Sequence, residues 1–225
     1  MSTPIKNEPL QGKLQKIQEV RFLTQSTFIL KFDRDDIQFK SGQYVTVGLK
    51  DSRQHREYSI YSGEEDDYIE ILVREVLEGD VSWQLKNSKP GQLIEVKGPL
   101  GLFKLDAENA EKKKLLFIAT GTGISPFHSF ISSYKNLDYK LLHGVRFGHE
   151  AYEKNFYDPE RYVLCTSGDD RGTYHGRVTA YLKEFHTSPE MEFYLCGNSR
   201  MIDDVFSILQ MKHVPVEKIH SEAYF

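Results

Sequence analysis

Cysteine and long apolar runs are scarce in this chain of 225 residues, and each shortage excludes a class of protein. Two cysteines, Cys165 and Cys196, are too few for a disulfide framework or a four-thiolate metal cluster. No uncharged apolar run approaches the roughly 18 residues that a membrane span requires. The first ten residues, MSTPIKNEPL, lack the apolar core of a secretion signal. We therefore expect a cytoplasmic protein that contains no metal site and does not associate with membranes.

Neither sign of charge dominates the sequence. It has 29 Lys and Arg against 33 Asp and Glu, a formal net charge of −4, so we do not expect general nucleic-acid binding. Hydrophobic residues make up 39% and aromatic residues 12%, a composition typical of a chain that buries a core. The length allows one large domain or two small ones.

The residue pattern changes near position 110. Before it, short alternating segments rich in Val, Ile, Tyr and Phe predict a small antiparallel barrel or sandwich. These predicted strands cover 13–24, 26–32, 43–49, 56–61, 68–74 and 92–97, with one helix over 80–87 capped by Asp80.

After this position, strands and helices alternate, which predicts a parallel sheet covered by helices. The predicted strands cover 114–119, 139–146, 161–166, 192–196 and 218–224, and the predicted helices cover 125–137, 177–185 and 200–210. We therefore expect two domains, residues 1–110 and residues 111–225, joined near the polar segment 106–114.

A glycine-rich turn opens the second half, with the sequence ATGTGISPF at 119–127. Gly121 and Gly123 permit close backbone approach, Ser125 is placed to cap the following helix, and Pro126 suits its first turn. The start of that helix offers free amides and a positive dipole end to an anion. By spacing alone, the segment is either a dinucleotide-binding loop or an ordinary tight turn.

The segment REYS at 56–59 combines a cation, a flat ring and a hydroxyl. Arginine pairs well with phosphate, and tyrosine can stack on an aromatic heterocycle. Unless the strand ends or twists, alternation places Arg56, Tyr58 and Ile60 on one face, with Glu57, Ser59 and Tyr61 on the other. The same pattern also suits an amphipathic strand without a ligand.

Five segments taken together resemble the ferredoxin–NADP reductase family. In the family's order they are Arg56-Glu57-Tyr58-Ser59 (R-x-Y-S), Gly79-Asp80-Val81-Ser82 (G-x-x-S), Gly98-Pro99-Leu100-Gly101-Leu102-Phe103 (G-P-x-G-x-F), Gly121–Phe127 (G-T-G-I-S-P-F), and Cys196-Gly197-Asn198 with Met201-Ile202. The end of the chain, EAYF at 222–225, is similar to the family's terminus, where an aromatic residue covers the flavin.

This resemblance implies a fold, two cofactors and a reaction. The barrel would bind FAD, and the α/β domain would bind a pyridine nucleotide. Electrons would pass between NAD(P)H and a separate one-electron carrier such as ferredoxin or flavodoxin. We expect a monomer.

The resemblance also implies which residues hold FAD. Arg56 would contact the pyrophosphate, Tyr58 would pack on the isoalloxazine, and Ser59 would form a hydrogen bond near flavin N5. The other implied contacts are Val73 and Arg74 for the ribityl and adenylate portion, and Gly79 and Ser82 for phosphate.

On the second domain, the resemblance places the nicotinamide beside Thr120, Gly121 and Thr122, with Cys196 and Gly197 across from them. Cys196 is either part of this site, close to the reacting carbon, or a buried small hydrophobic residue at a strand end.

The catalytic residues implied by the resemblance are Ser59, Cys196, Glu222 and Phe225. Phe225 would stack on the flavin, where it occupies the space that the nicotinamide needs and must move aside. Glu222 either relays a proton near the flavin or is a solvated carboxylate at a sheet edge.

Two arginines, Arg146 and Arg177, resemble those that hold the 2′-phosphate of NADPH in bacterial members. The family often has an arginine after the next strand, whereas here Ser167 and Gly168 follow Thr166, with Arg171 in the same loop as a substitute. We therefore favour NADPH over NADH.

Two other functions remain open. One is reduction of free flavin by NAD(P)H, in which flavin is a substrate and not a retained cofactor. The other is an FAD-binding electron-transfer subunit or sensor without turnover of its own.

Overall fold

The structure is a computed structural model that describes residues 12–76, 80–105 and 110–224, and its strands form two six-stranded sheets. The first sheet contains β1 (Lys13–Phe22), β2 (Thr27–Asp33), β3 (Tyr44–Leu49), β4 (Arg56–Ser59), β5 (Tyr68–Arg74) and β6 (Leu93–Leu100), with helix α1 (Asp80–Lys86) before β6. The second contains β7 (Lys114–Thr120), β8 (Asp138–Val145), β9 (Tyr162–Thr166), β10 (Tyr174–His175), β11 (Met191–Asn198) and β12 (Ile219–Tyr224). Its helices are α2 (Ser125–Ser133), α3 (Val178–Glu184) and α4 (Ser199–Met211). The two-residue strand β10 has no counterpart in the predicted elements.

The first sheet is antiparallel, has the order β4-β3-β6-β1-β2-β5, and closes on itself. Ile60, just after β4, forms an isolated antiparallel bridge with Ile71 of β5, and the Tyr61 amide donates to the Glu70 carbonyl over 2.7 Å. Alternate side chains of the strands point inward and fill the interior with Val, Ile, Leu and Phe. The predicted antiparallel barrel is confirmed.

The second sheet is parallel throughout, with the order β10-β9-β8-β7-β11-β12. The chain runs outward from β7 through β8 and β9, then crosses to the other side of β7 to form β11. The carboxyl ends of β7 and β11 therefore border the place where the order reverses, which is where open α/β sheets bind ligands. The predicted α/β domain with a parallel sheet is confirmed.

Aromatic side chains from both domains pack together on one side of their junction. Phe103, which follows β6, lies with its ring centroid 5.7 Å from that of Tyr194 and 6.1 Å from that of Phe127. Tyr61 stacks on His128 of α2, with ring centroids 3.7 Å apart. Because these rings are buried, the contact removes a large apolar area from water and holds the domains together.

Polar contacts made by the segment after β8 complete this junction. The Glu153 carboxylate accepts hydrogen bonds from Arg21 Nη1 of β1 at 2.7 Å and from the Tyr61 hydroxyl at 2.9 Å. The Tyr152 hydroxyl lies 3.2 Å from Thr27 Oγ1 of β2. Glu153 has a left-handed backbone conformation, with φ 48°. We call this junction, formed around Tyr61, Phe103, His128 and Glu153, the packed interface.

The helix cap predicted at Ser125 is wrong. Ile124 occupies the N-cap position of α2, and Ser125 Oγ donates backward to the Thr122 carbonyl at 2.7 Å. The reason is a 3₁₀ turn, Gly121–Ile124, that runs directly into α2 and moves the start of the helical backbone to Gly121. Asp80 is the first residue of α1 and accepts a hydrogen bond from Gln54 Nε2 at 3.3 Å.

Candidate functional site

A cleft of about 940 Å³ separates β4 of the barrel from the carboxyl ends of β7, β11 and β12. The barrel side contributes Tyr44, His55, Arg56, Glu57, Tyr58, Ser59, Leu72, Arg74, Val76, Val81 and Ser82. The other side contributes Thr120, Gly121, Thr122, Gly197, Asn198, Glu222, Ala223 and Tyr224. Parallel pairing brings the second set together, since Gly197 lies opposite Ala223 and Cys196 opposite Ala119.

Strand β4 presents both of its faces to the cleft. It is an edge strand of its sheet, and it ends at Ser59, after which Ile60 and Tyr61 turn inward and are fully buried. Arg56 is exposed, and Tyr58 packs against the barrel core, where burial raises the pKa of its phenol to about 12. The strand ends at Ser59, so the predicted alternation applies only to its four residues, and side chains from both faces of this short edge strand line the cleft.

A chain of three side chains crosses the cleft between the domains. The Tyr224 hydroxyl donates to Ser59 Oγ at 2.7 Å, and Ser59 Oγ donates to Glu222 Oε2 at 2.9 Å. Glu222 and Tyr224 lie on β12, two residues apart and hence on the same face, while Ser59 ends β4. Burial raises the pKa of the Glu222 carboxyl; the Ser59 hydrogen bond opposes this shift, and the negative charge of Glu57 adds to it.

Two glycines with positive φ shape the opposite wall. Gly197 has φ 131°, and a Cβ at this position would lie 2.4 Å from Thr120 Oγ1. That hydroxyl oxygen also accepts a hydrogen bond from the Asn198 amide at 3.0 Å. Gly121 has φ 54°, and a Cβ there would meet no atom within 4 Å. Gly197 is therefore required for close packing of the two strand ends, whereas Gly121 is required only for its backbone angle.

Cys196 lies behind Gly197 and does not line the cleft. Its side chain is fully buried, and burial raises the pKa of its thiol well above the ordinary value. This environment is typical of a cysteine that packs as a small apolar side chain. Cys165 is also buried, within the second sheet.

The other residues singled out in the sequence fall into three groups. Arg56, Tyr58, Ser59, Arg74, Ser82, Thr120, Gly121, Thr122, Gly197 and Glu222 line the cleft. Val73 points into the barrel core, and Arg146 and Arg177 are exposed residues outside the cleft lining. Gly79 and Phe225 lie outside the described residues.

Tyr224 is a cleft residue that sequence reasoning missed. Its neighbour Phe225 drew attention as the terminal aromatic, yet Tyr224 is the residue whose hydroxyl reaches Ser59. The signal available was the strand-like run before the terminus, in which Glu222 and Tyr224 share one face.

His143 of β8 is a second residue that sequence reasoning missed, and it lies beneath the cleft. It is fully buried, and its Nε2 is 3.0 Å from the carbonyl oxygen of Gly121. No feature of the sequence around it distinguishes it from an ordinary strand residue.

Neither a membrane span nor a metal cluster is found among residues 12–76, 80–105 and 110–224. No helix there is both long and apolar enough to cross a bilayer. The same residues contain no group of three His, Cys, Asp or Glu side chains placed to hold a metal ion.

Two domain families match this chain. A model described as an oxidoreductase FAD-binding domain matches residues 13–105, which include the barrel. A second, described as an oxidoreductase NAD-binding domain, matches residues 117–206, which include the glycine turn and Gly197. Together they define a two-domain oxidoreductase with sites for FAD and for a nicotinamide nucleotide.

Several known oxidoreductase proteins are similar to this chain. The toluate 1,2-dioxygenase electron transfer component of Pseudomonas putida is 27% identical over 95% of this chain and 68% of its own length. The flavodoxin/ferredoxin–NADP reductase of Buchnera aphidicola is 27% identical over 83% of this chain and 86% of its own length. The crystal structure of a ferredoxin NADP+ reductase from Neisseria gonorrhoeae superimposes with a TM-score of 0.86 at 24% identity, covering 96% of this chain and 99% of that one.

This chain therefore belongs to the oxidoreductases that combine an FAD-binding and an NAD-binding domain, and ferredoxin–NADP reductases are among its relatives. Some relatives are considerably longer: the chain spans 52% of the flavohemoprotein of Bacillus subtilis and 56% of a glycine betaine monooxygenase reductase subunit of Pseudomonas aeruginosa.

Proposed function

We propose that this protein is an FAD-dependent reductase that passes electrons between NAD(P)H and a one-electron carrier such as ferredoxin or flavodoxin. The observation that carries this proposal is the hydrogen-bonded chain from Tyr224 through Ser59 to Glu222, which faces the glycine turn across the cleft. This hydrogen-bonded chain joins the two domains at the cleft, where a flavin bound to the barrel would meet a nucleotide bound to the α/β domain.

The barrel side of the cleft fits FAD. Arg56 and Arg74 supply cations for the pyrophosphate, and the ring of Tyr58 supplies a flat apolar surface for the isoalloxazine. As an edge strand, β4 also has backbone amides and carbonyls available for a polar heterocycle. Bound FAD would supply the chemistry that takes up two electrons from a pyridine nucleotide and releases them singly. Val73 would contribute only its backbone, since its side chain is in the barrel core.

The opposite wall fits a pyridine nucleotide. Gly121 and Gly197 leave room for a ligand to approach the backbone, and Thr120 and Thr122 add hydroxyl groups between them. The amides at the start of the 3₁₀ turn and α2 favour an anionic group such as pyrophosphate. Cys196 would act through its backbone and its packing behind Gly197, not as a nucleophile.

Ser59 and Glu222 would hold and transfer a proton next to the reacting groups. Ser59 Oγ accepts from Tyr224 and donates to Glu222 Oε2, so its hydroxyl can reverse direction when a neighbouring group needs a donor. A carboxyl whose pKa is raised by burial holds a proton more readily than an exposed one, which suits Glu222 to exchange the proton of Ser59. Tyr224, and with it Phe225 in our proposal, would cover this part of the cleft until a nucleotide enters.

NADPH is the nucleotide that we favour. An NADH site would need a carboxylate free to bond to the ribose, and Asp169, after β9, is an acidic residue in the same loop as Arg171. Its carboxylate instead accepts from the Gly148 amide at 3.0 Å and the Arg171 amide at 3.3 Å, which lowers its pKa and ties it to its own loop. The exposed arginines Arg146, Arg171 and Arg177 remain to receive a 2′-phosphate.

The proposed function is tested under anaerobic conditions. Desalted protein is assayed for bound FAD, mixed with NADPH or NADH, and then given oxidised flavodoxin, ferredoxin or free riboflavin. We expect one FAD per chain, faster bleaching by NADPH, and electron transfer to a carrier protein. Protein that retains no FAD and reduces riboflavin would instead be a free-flavin reductase. Retained FAD that neither nucleotide bleaches would identify a binding subunit or sensor.

A further inference from the structure

His143 lies beneath the glycine turn and joins two elements of the second domain. It belongs to β8, and none of its surface is exposed. Its Nε2 is 3.0 Å from the carbonyl oxygen of Gly121, and its Nδ1 is 2.8 Å from the hydroxyl of Tyr162 at the start of β9. A fully buried imidazole with both nitrogens in contact with polar atoms is held in one orientation.

The partners decide which nitrogen carries the proton. A carbonyl oxygen only accepts hydrogen bonds, so Nε2 must be the donor to Gly121. Burial lowers the pKa of His143 to about 4, so the ring is neutral near pH 7 and carries that one proton. Nδ1 is then an acceptor, and the Tyr162 hydroxyl donates to it.

The bond to Gly121 shows the direction of the next amide. Among the described residues the one cis peptide bond is Gly98-Pro99, so the bond between Gly121 and Thr122 is trans. In a planar trans peptide, the carbonyl and the N–H point in opposite directions. Because the Gly121 carbonyl points toward buried His143, the Thr122 N–H points away from it, and Thr122 lines the cleft.

That amide is available for a ligand. Thr122 is the second residue of the 3₁₀ turn Gly121–Ile124, and the first amides of such a turn have no acceptor within it. If the peptide rotated, a carbonyl oxygen would face the cleft in place of a donor and would repel the oxygen atoms of a pyrophosphate. The 3₁₀ turn opposes this rotation through its own bond from the Ile124 amide to the Gly121 carbonyl, and His143 adds a second donor to the same oxygen.

We propose that His143 is a positioning residue for the nucleotide site: it holds the Gly121 carbonyl inward so that the Thr122 amide donates to a pyrophosphate or carboxamide oxygen of the pyridine nucleotide. Tyr162 supports this arrangement by keeping the proton on Nε2. The inference rests on the proposed function, because it requires a nucleotide in the cleft.

Three variants separate positioning from general stability. His143→Leu removes both hydrogen bonds at similar size, His143→Gln retains an amide donor near the position of Nε2, and Tyr162→Phe removes only the hydroxyl. For each FAD-loaded protein, calorimetry gives the Kd of the oxidised nucleotide that the wild type uses. It also gives the Kd of the matching adenine half, 2′-phospho-AMP or AMP, which has neither the pyrophosphate nor the nicotinamide.

His143→Leu is expected to raise the Kd of the whole nucleotide about tenfold, the effect of one hydrogen bond of about 1.4 kcal/mol. The Kd of the adenine half and the FAD content stay within about twofold of wild type. His143→Gln restores most of the affinity, and Tyr162→Phe, which disturbs the fold least, raises the Kd about threefold.

Two results would overturn the inference: unchanged nucleotide affinity in both His143→Leu and Tyr162→Phe, or an equal loss of affinity for the adenine half. If His143→Leu does not fold, Tyr162→Phe decides by the same two criteria. Wild-type protein that binds FAD but neither nucleotide would refute the proposed function itself, before any variant is compared.

Discussion

The two domains meet along two surfaces of opposite character. At the packed interface, buried rings are in contact and Glu153 bonds to both Arg21 and Tyr61 of the barrel. At the cleft, one hydrogen-bonded chain crosses a space of about 940 Å³, and the walls are edge backbone, glycines and short polar side chains. The packed interface therefore sets the relative position of the domains, and the cleft keeps room for ligands between them.

The largest expected effect lies on the barrel wall of the cleft. Arg56→Ala removes a cation proposed to bind the FAD pyrophosphate, and we expect about a 100-fold weaker affinity for FAD, since charge-assisted hydrogen bonds contribute about 1.5–3 kcal/mol. The measurement is FAD fluorescence during titration of the apoprotein. Arg53→Ala, an exposed arginine three residues earlier, is the matched control and should bind FAD normally. Equal affinities in the two variants would show that the pyrophosphate does not lie at Arg56.

A substitution at the packed interface should lower the stability of the protein and leave the rate of flavin reduction nearly unchanged. Glu153→Gln removes the charge that bonds to Arg21, so we expect the free energy of unfolding to fall by about 2 kcal/mol. The rate of flavin reduction at saturating nucleotide should stay within about threefold of wild type. Chemical denaturation measures the first quantity and stopped-flow the second. Glu160→Gln, an exposed carboxylate of the same segment, should leave both unchanged. A large loss of rate without loss of stability would contradict the division between the two surfaces.

Substitutions in the hydrogen-bonded chain from Tyr224 through Ser59 to Glu222 should slow flavin reduction. Ser59→Ala leaves Glu222 and Tyr224 without their shared partner, and we expect flavin reduction about tenfold slower, equivalent to about 1.4 kcal/mol. Tyr224→Phe alone should cost about threefold, because Ser59 can still donate to Glu222. The double variant should be no slower than Ser59→Ala, since all three groups form one chain. Fully additive losses would mean that Ser59 and Tyr224 act separately.

The smallest effect concerns pH. Burial lowers the pKa of His128 and of His143 to about 4, whereas an exposed histidine titrates near 6.5. Between these values the unfolded chain binds more protons than the folded one, so stability rises with pH from about 4 to 6.5 and is lost as pH falls through that window. Each histidine contributes at most about 1.4 kcal/mol per pH unit.

His128→Phe isolates one of the two histidines while keeping a ring beside Tyr61 and Phe156. Its free energy of unfolding should depend less steeply on pH near pH 5, by about 1 kcal/mol per unit. Urea denaturation at several pH values measures the slope. Identical slopes in variant and wild type would show that His128 remains protonated in the folded protein.

Much of the fold follows from local sequence, because strand and helix periods are local properties. The strand β5 (Tyr68–Arg74) occupies the positions predicted for it, and β7 (Lys114–Thr120) extends its prediction by one residue. The predicted Ser125 cap failed because the Gly121–Ile124 turn already continues the helix backward, which a residue-type preference at one position does not reveal.

The residues of the site could be predicted from the sequence only where they belong to a recognisable motif. Arg56, Tyr58 and Ser59 were found through a recognisable segment, and the structure places all three on the cleft. His143 and Glu153 carry no motif, and their partners are distant in sequence: Gly121 is 22 residues from His143, and Arg21 is 132 from Glu153. Such roles depend on which strands become neighbours, and tertiary packing decides that.

The most direct test of the account is anaerobic stopped-flow reduction of three FAD-loaded proteins by NADPH: wild type, Gly197→Ala and Gly91→Ala. Both glycines have positive φ, but a Cβ at Gly197 would lie 2.4 Å from Thr120 Oγ1, whereas one at Gly91 meets nothing within 4 Å. We predict that Gly91→Ala bleaches like wild type, and that Gly197→Ala keeps its FAD but bleaches about 100-fold more slowly, because a small displacement at the reacting groups is costly. Equal bleaching rates in all three proteins would contradict the claim that nucleotide and flavin meet in this cleft.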